Sequence, residues 1–510
     1  MEGFEMHKRS FLFYCLIFLF ASFLWGIFNQ PIQEKKAIPI STKSEKALGY
    51  YHKAMLAVYG SYEAEALKNI KLAVDTDPEF VMARTWYARF LDVPDALKMM
   101  EETKAHFGKV SEGERLFALA IEAQVKNDLE KEIELLEKLI SLYPDDGTIY
   151  NELGVAYFQN KMHDKSIEAY EKAIACNPEI FGAYNDVGYA CIRAGRFEDA
   201  IKWLQKYAQL MPQGANPLDS LGDAYKQAGR YKEAWDCYQK ALKIKPEFTA
   251  SLLHLGDVKQ ELGYYEEAVG HYQECLKSLV PERDISESHF NMVDSYYRPK
   301  LVQTYLLMNN LEKAEEEIKN ILMRNTGAGN VLGHYLAGEL ALRRGDAKKA
   351  REEADLAQRF EKENNLLDQE KDQIVNFLRA KISMAEGDIS QAEKSLMKAI
   401  DAFGMEGQSN LLSRVYSLGD VRLVSAEPLN LLAEIKRREK KVDEELLALK
   451  RSLLVVSHQP QPHFRLFELY RVQKKNELAA RECRIFLNLA KEHRWSKEDI
   501  EKAKQFLRSI

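Results

Sequence analysis

Five prolines constrain this chain more than any other feature: Pro144, Pro178, Pro212 and Pro246 lie 34 residues apart, and Pro281 follows at 35. A period of that length marks a repeated supersecondary unit, which cannot bury its apolar face alone and must stack on its neighbours. With the prolines setting the register, two glycine columns stand out, one at 154, 188, 222 and 256 and one at 195, 229 and 263. The first column falls in mid-helix, where a missing Cβ lets a partner helix approach closely despite a propensity cost of about 1 kcal/mol. Tyr157 and Tyr225 are expected to fill the space beside it. The second column falls about one turn after the first helix of each pair, at the C′ position that favours a positive φ. The proline ends the second helix and helps set the start of the next unit.

The internal pattern is as regular as the period. The unit from Gly147 carries Tyr150, Leu153, Gly154, Tyr157, Tyr170, Ala173 and Pro178, with Ser166 where alanine is expected. The next carries Tyr184, Val187, Gly188, Ala200, Leu204 and Pro212, and departs at Cys191 and Tyr207. A third has Leu218, Leu221, Gly222, Tyr225, Ala234, Tyr238, Ala241 and Pro246, and a fourth Leu252, Leu255, Gly256, Ala268, Tyr272 and Cys275. These residues resemble the W-x2-L-G-x2-Y…A-x3-F…P pattern of tetratricopeptide repeats, in a chain similar to membrane-anchored bacterial proteins of that family. The resemblance implies an all-α fold, an α-solenoid whose helix pairs wind into a right-handed superhelix around a concave groove that holds a peptide, a helix or a partner domain.

The chain divides accordingly. Residues 11–28, FLFYCLIFLFASFLWGIF, contain no charge and form a helix of ~27 Å if helical, close to the ~30 Å of a hydrocarbon core. Residues 1–28 are therefore expected to be a membrane anchor or signal segment, with the soluble body leaning towards export. Residues 29–44 have two prolines and no apolar periodicity, and read as a flexible tether. Divergent repeats are expected over 45–144, four well-matched repeats over 145–281, divergent repeats again over 282–403 and a helical region over 404–510.

Charge and motif content exclude much of the remaining chemistry. Seventy-two Lys and Arg against 78 Asp and Glu leave a net charge of −6, too near balance for a chain-wide nucleic-acid binder. The six cysteines form no CxxC pair. HExxH, GxSxG and GxxxxGK[ST] are absent, and Gly327-Ala328-Gly329 misses a dinucleotide fingerprint by one residue. His254 with Asp257, and His271 with Glu274, share helix faces at i, i+3, but two ligands without a third make no metal site. No catalytic, cofactor-binding or metal-binding residue is assigned, and no cofactor, nucleic acid or small-molecule substrate is expected.

A candidate groove follows from register, because in this family the first helix of each pair lines the concave side. Its inward positions include Asn151, Phe158, Asn185, Tyr189, Asp219, Asp223, Lys226 and Asp257. Asn and Asp outnumber bases there, which suits backbone amides or a basic segment, with the aromatics adding apolar contact. The three aspartates are expected to face water. The functional expectation is a non-enzymatic, membrane-tethered scaffold or assembly factor that binds protein partners through this groove. The alternatives are an accessory structural subunit of a larger membrane complex, or an enzyme using the divergent C-terminal region.

Overall fold

The computed structural model describes residues 37–60, 62–278, 297–323, 327–363, 373–403, 421–456 and 458–510. Among the described residues are 25 α-helices and one short 3-10 turn, with no strand. The all-α architecture is as the sequence implies. The membrane anchor is not supported: no helix among the described residues is long and apolar enough to cross a membrane. Residues 11–28, on which the single-pass localisation was based, lie outside the described residues.

Contacts divide the chain into two compact units. The first comprises the described residues up to Asn160 together with Glu168–Ala183, the second Lys161–Ile167 together with Tyr184–Ile510. In the first unit, Tyr51, Phe80, Trp86, Phe117, Leu136, Leu139 and Ile149 share one apolar core. Its irregular pair, Val81–Ala88 and Val93–Lys104, is tied by the buried Arg84. The guanidinium donates to Thr103 Oγ1 at 2.9 Å, to the Pro78 carbonyl at 3.2 Å and to Glu102 Oε2 at 3.0 Å. Helix Glu112–Val125 begins with a capping box in which Ser111 and Glu114 satisfy each other's backbone donors. Part of the expected tether, residues 37–43, is docked on this unit with Ile38 buried, while residues 29–36 lie outside the described residues.

The second unit is built from successive helix hairpins, each turning through one left-handed residue. Gly195, Gly229 and Gly263 have φ of 75°, 73° and 81°, as their column requires. The same turn recurs at Asn309, Gly345, Gly387, Lys440 and Lys474. At each, the following amide reaches back five residues, as from Arg230 N–H to the Tyr225 carbonyl at 2.8 Å and from Lys475 N–H to Tyr470 at 2.9 Å. This is the Schellman closure of a helix end. The C-terminal region therefore contains two repeat-like hairpins, Val421–Arg438 with Val442–Val455 and Pro460–Val472 with Asn476–Leu489. Their sequences hid this because lysine, not glycine, occupies the turn.

Close helix contact at the mid-helix glycines is as expected, but a different ring makes it. A Cβ on Gly222 would lie 2.5 Å from Tyr238 Cε1, and Gly154 and Gly256 face Tyr170 and Tyr272 in the same way. The space is thus filled from the second helix, sixteen residues on, and not by Tyr157 or Tyr225. Gly222→Ala is expected to cost about 1 to 3 kcal/mol by overpacking, read as a lower urea midpoint; an unchanged midpoint would mean that the ring yields freely.

The second unit also closes on itself. His458 packs over Gly229 and meets Tyr231 edge to face at 5.7 Å, and His493 meets the same ring at 5.6 Å. Arg494 N–H donates to the Leu262 carbonyl at 2.8 Å and His493 Nδ1 to the Glu261 carbonyl at 3.0 Å. Segments about 230 residues apart in sequence are joined in this way, and a cavity of about 400 Å³ lies within the closure.

Candidate functional site

Four first helices of hairpins carry the polar residues singled out by register: Phe181–Arg193, Ala215–Gln227, Thr249–Glu261 and Arg298–Leu307. Tyr189, Asp223 and Asp257 occupy equivalent places in the first three, 34 residues apart. Helical spacing of i, i+4 and i+7 puts Asp219, Asp223 and Lys226 on one face. They meet there as a continuous polar network whose bonds mostly cross from one repeat to the next.

Asp223 accepts hydrogen bonds from the Tyr189 hydroxyl at 2.9 Å and the Tyr238 hydroxyl at 2.8 Å. Asp219 accepts from Ser251 Oγ at 2.6 Å and lies 3.2 Å from His254 Nδ1, which is also 3.4 Å from Asp223. Lys226 Nζ lies 3.6 Å from Asp223 and 3.5 Å from Asp257. Asp257 accepts from the Tyr272 hydroxyl at 2.8 Å and pairs with Lys300 at 3.2 Å. Three carboxylates are thereby matched by two lysines and a histidine.

Burial corrects the expectation that the aspartates face water. Asp219, Asp223 and Asp257 are 4%, 5% and 6% exposed and Lys226 is 2% exposed, so these side chains are spent largely on one another. Of the eight expected groove residues, Asn151 and Phe158 belong to the first unit and are half-buried. The other six are in the second unit, where Asn185 and Tyr189 are half-buried and the remaining four form the network. Lys226 and Asp257 also line the cavity, with Lys300, Gln260, Tyr231 and His458. Sequence reading missed Tyr238, Tyr272, Ser251 and Lys300. A signal for the tyrosines exists: Gly222-Asp223 and Gly256-Asp257 are each followed by tyrosine fifteen residues after the aspartate. The glycine admits the ring and the aspartate receives its hydroxyl.

Residues 148–180 match a tetratricopeptide repeat model, 222–263 a TPR repeat model and 249–278 a further tetratricopeptide repeat model. These stretches are tetratricopeptide repeats. No curated protein matches the chain by sequence. Among solved structures, similarity extends to a tetratricopeptide repeat protein from Parabacteroides merdae, at 16% identity over 54% of this chain and 98% of that one, with a TM-score of 0.38. It extends also to MamA from Desulfovibrio magneticus RS-1, at 16% identity over 34% of this chain and 97% of that one, with a TM-score of 0.31. The APC/C hetero-tetramer Cut9-Hcn1 is similar at 12% identity over 91% of this chain and 97% of that one, with a TM-score of 0.35.

The network also decides what the repeats can hold. Asp219, Asp223 and His254 bring three ligand atoms within 4.8 Å of one another, a different set from the His254 and Asp257 pair singled out by spacing. Their oxygens, however, already accept from Ser251, Tyr189 and Tyr238. Burial opposes charge on His254, but the carboxylates of Asp223 and Asp219 outweigh it and raise its pKa. A cation would have to displace the Ser251, Tyr189 and Tyr238 donors from the carboxylates. Asp257 shows the complementary effect. Burial opposes its ionisation, yet Lys300, Lys226, His254 and the Tyr272 hydroxyl hold its pKa down at about 2.

These opposite shifts set a pH window. Asp257, depressed from about 3.9 in the unfolded chain, contributes stability above about pH 4 that is lost as pH falls towards 2. His254, raised above about 6.5, contributes stability fully present below that value and lost as pH rises through its folded pKa. The urea midpoint of the second unit is expected to be highest between about pH 4 and 6.5. His254→Gln should flatten the alkaline limb and, because His254 helps hold the Asp257 pKa down, also move the acid limb upwards; an unaltered alkaline limb would exclude His254 as its source.

Proposed function

We propose that this chain is a protein-binding scaffold that engages partner segments through the inner faces of its repeats and performs no covalent chemistry. The observation that carries this reading is the recurrence of Tyr189, Asp223 and Asp257 at equivalent positions of first helices, with Lys226, Asp257 and Lys300 among the residues that line the cavity. A surface that repeats at fixed steps suits a chain-like ligand, whose own groups recur at fixed steps. The role expected of Asn151, Phe158, Asn185, Tyr189, Asp219, Asp223, Lys226 and Asp257 is refined accordingly. Asp219, Asp223, Lys226 and Asp257 hold neighbouring helices in register, and exposed groups of the cavity lining such as Gln461 are left to meet a partner.

Photo-crosslinking of the full chain tests this. A benzophenone amino acid at Gln461, which is exposed and lines the cavity, is expected to capture protein partners from native extract. The same group at Lys504, exposed on the final helix and outside the cavity lining, should not capture them. Recurrent stoichiometric partners would identify a structural subunit, and varied substoichiometric ones an assembly factor. Equal capture from both positions, or none from Gln461, would overturn the reading.

A further inference from the structure

The segment that precedes the first helix of the first unit, Glu45–Tyr59, is bound to the repeats as a ligand would be. It runs past the starts of two later helices and the end of a third, each of which contributes or adjoins a carboxylate that receives it. Ile38 N–H donates to Asp146 Oδ2 at 3.1 Å. Ser41 donates its N–H to Glu114 Oε1 at 2.7 Å and its hydroxyl to Glu114 Oε2 at 2.6 Å. Thr42 Oγ1 donates to Asp77 Oδ2 at 2.6 Å. Glu114 is fully buried and already held by its capping box with Ser111, so this acceptor is positioned independently of the segment.

The segment fills its place only in part. A cavity of about 810 Å³ lies beside it, lined by Ile38 and Ile40 together with Tyr51, Met55, Met82 and Phe117. That volume is within the range of ligand pockets, and its apolar wall would accept larger side chains than two isoleucines. Backbone amides and hydroxyls carry the polar recognition, so the site reads an extended conformation with an aliphatic residue and a hydroxyl residue three positions later. The carboxylates favour basic flanks, and the segment itself is flanked by Lys35, Lys36 and Lys43.

We propose that the surface of the first unit bearing Asp77, Glu114 and Asp146 is a binding site for an extended aliphatic–hydroxyl peptide segment of a partner protein, and that residues 37–42 occupy it in cis until such a segment displaces them. This rests on the scaffold reading and adds the class of partner and the self-occlusion. A segment tethered at Ser44 presents an effective concentration on the order of millimolar, so a partner must either exceed it or fill the cavity better.

The test uses the full chain and a fluorescein-labelled peptide of the sequence KAIPISTKS. In the Ile38→Asp variant the cis segment is weakened, and anisotropy is expected to show binding at least tenfold tighter than to the unaltered protein. A peptide N-methylated at the amide equivalent to Ile38 should bind at least tenfold more weakly, and one with Phe in place of Ile40 more tightly. If Ile38→Asp unfolds the first unit by circular dichroism, Ile38→Ala supports the same comparison. A folded, released variant that binds no peptide, or that binds the N-methylated form equally, overturns the proposal. Capture at Gln461 is an independent readout: partners captured there without peptide binding here would remove this inference and leave the scaffold reading intact, and the converse would remove only the latter.

Discussion

Asp223→Ala is expected to lower the stability of the second unit by about 3 to 5 kcal/mol, the range for removing one partner from a buried charged group. The carboxylate accepts from two tyrosines, Tyr189 and Tyr238, and faces both His254 and Lys226. Without it, two hydroxyls lose their acceptor and two buried cationic groups lose one of their carboxylates. Asp223→Asn keeps an acceptor for one tyrosine and should cost less, about 1 to 3 kcal/mol. Urea unfolding followed by far-ultraviolet circular dichroism separates the two. A shift below about 1 kcal/mol for Asp223→Ala would match the cost of an exposed pair and would contradict a buried network. For the same reason, changing Asp219, Asp223 and Asp257 together to Lys is expected to unfold this unit and not merely to alter its groove. The network's other consequence is register. Its bonds link Tyr189 to Asp223, Asp219 to Ser251, Lys226 to Asp257 and Asp257 to Lys300, each joining one first helix to the next.

What the sequence disclosed depended on whether a residue type has one physical use or several. Glycine at a left-handed turn has nearly one, and the column at 195, 229 and 263 was legible for that reason. Lys440 and Lys474 adopt the same conformation with a side chain that has many uses elsewhere, so the repeat-like hairpins they close were not. The mid-helix glycines announced a close approach, but only the fold could say that Tyr170, Tyr238 and Tyr272 make it. Aspartate misled in the opposite direction. Register put Asp219, Asp223 and Asp257 on one run of first-helix positions, yet such positions are not solvated where neighbouring helices bring lysine, histidine and tyrosine. Lys300 was out of reach because it follows Pro281, where the period is lost. Residues 37–43 carry a proline and two hydroxyls, the composition of a linker, and their docking depends on Asp77, Glu114 and Asp146, 35 to 108 positions away.

Gly229 and Gly195 together measure how much the closure of the second unit contributes. Both are at φ near +75°, where an L side chain is strained by about 1 to 2 kcal/mol. Their surroundings differ. A Cβ on Gly195 would meet nothing within 4 Å, whereas one on Gly229 would lie 2.7 Å from His458 Cβ. Gly195→Ala therefore reports the backbone alone, and Gly229→Ala reports the backbone plus displacement of His458 from the turn. Overpacking of that kind adds about 1 to 3 kcal/mol, so the expected totals are about 1 to 2 for Gly195→Ala and about 2 to 5 for Gly229→Ala. The excess has a location as well as a size. His458 also packs on Tyr231, which in turn meets His493 next to the Arg494–Leu262 hydrogen bond. Hydrogen exchange at the Arg494 amide should accelerate in Gly229→Ala and stay unchanged in Gly195→Ala. Equal midpoints for the two variants, with the Arg494 amide protected in both, would mean that His458 gives way at little cost and that the cavity wall stands without it.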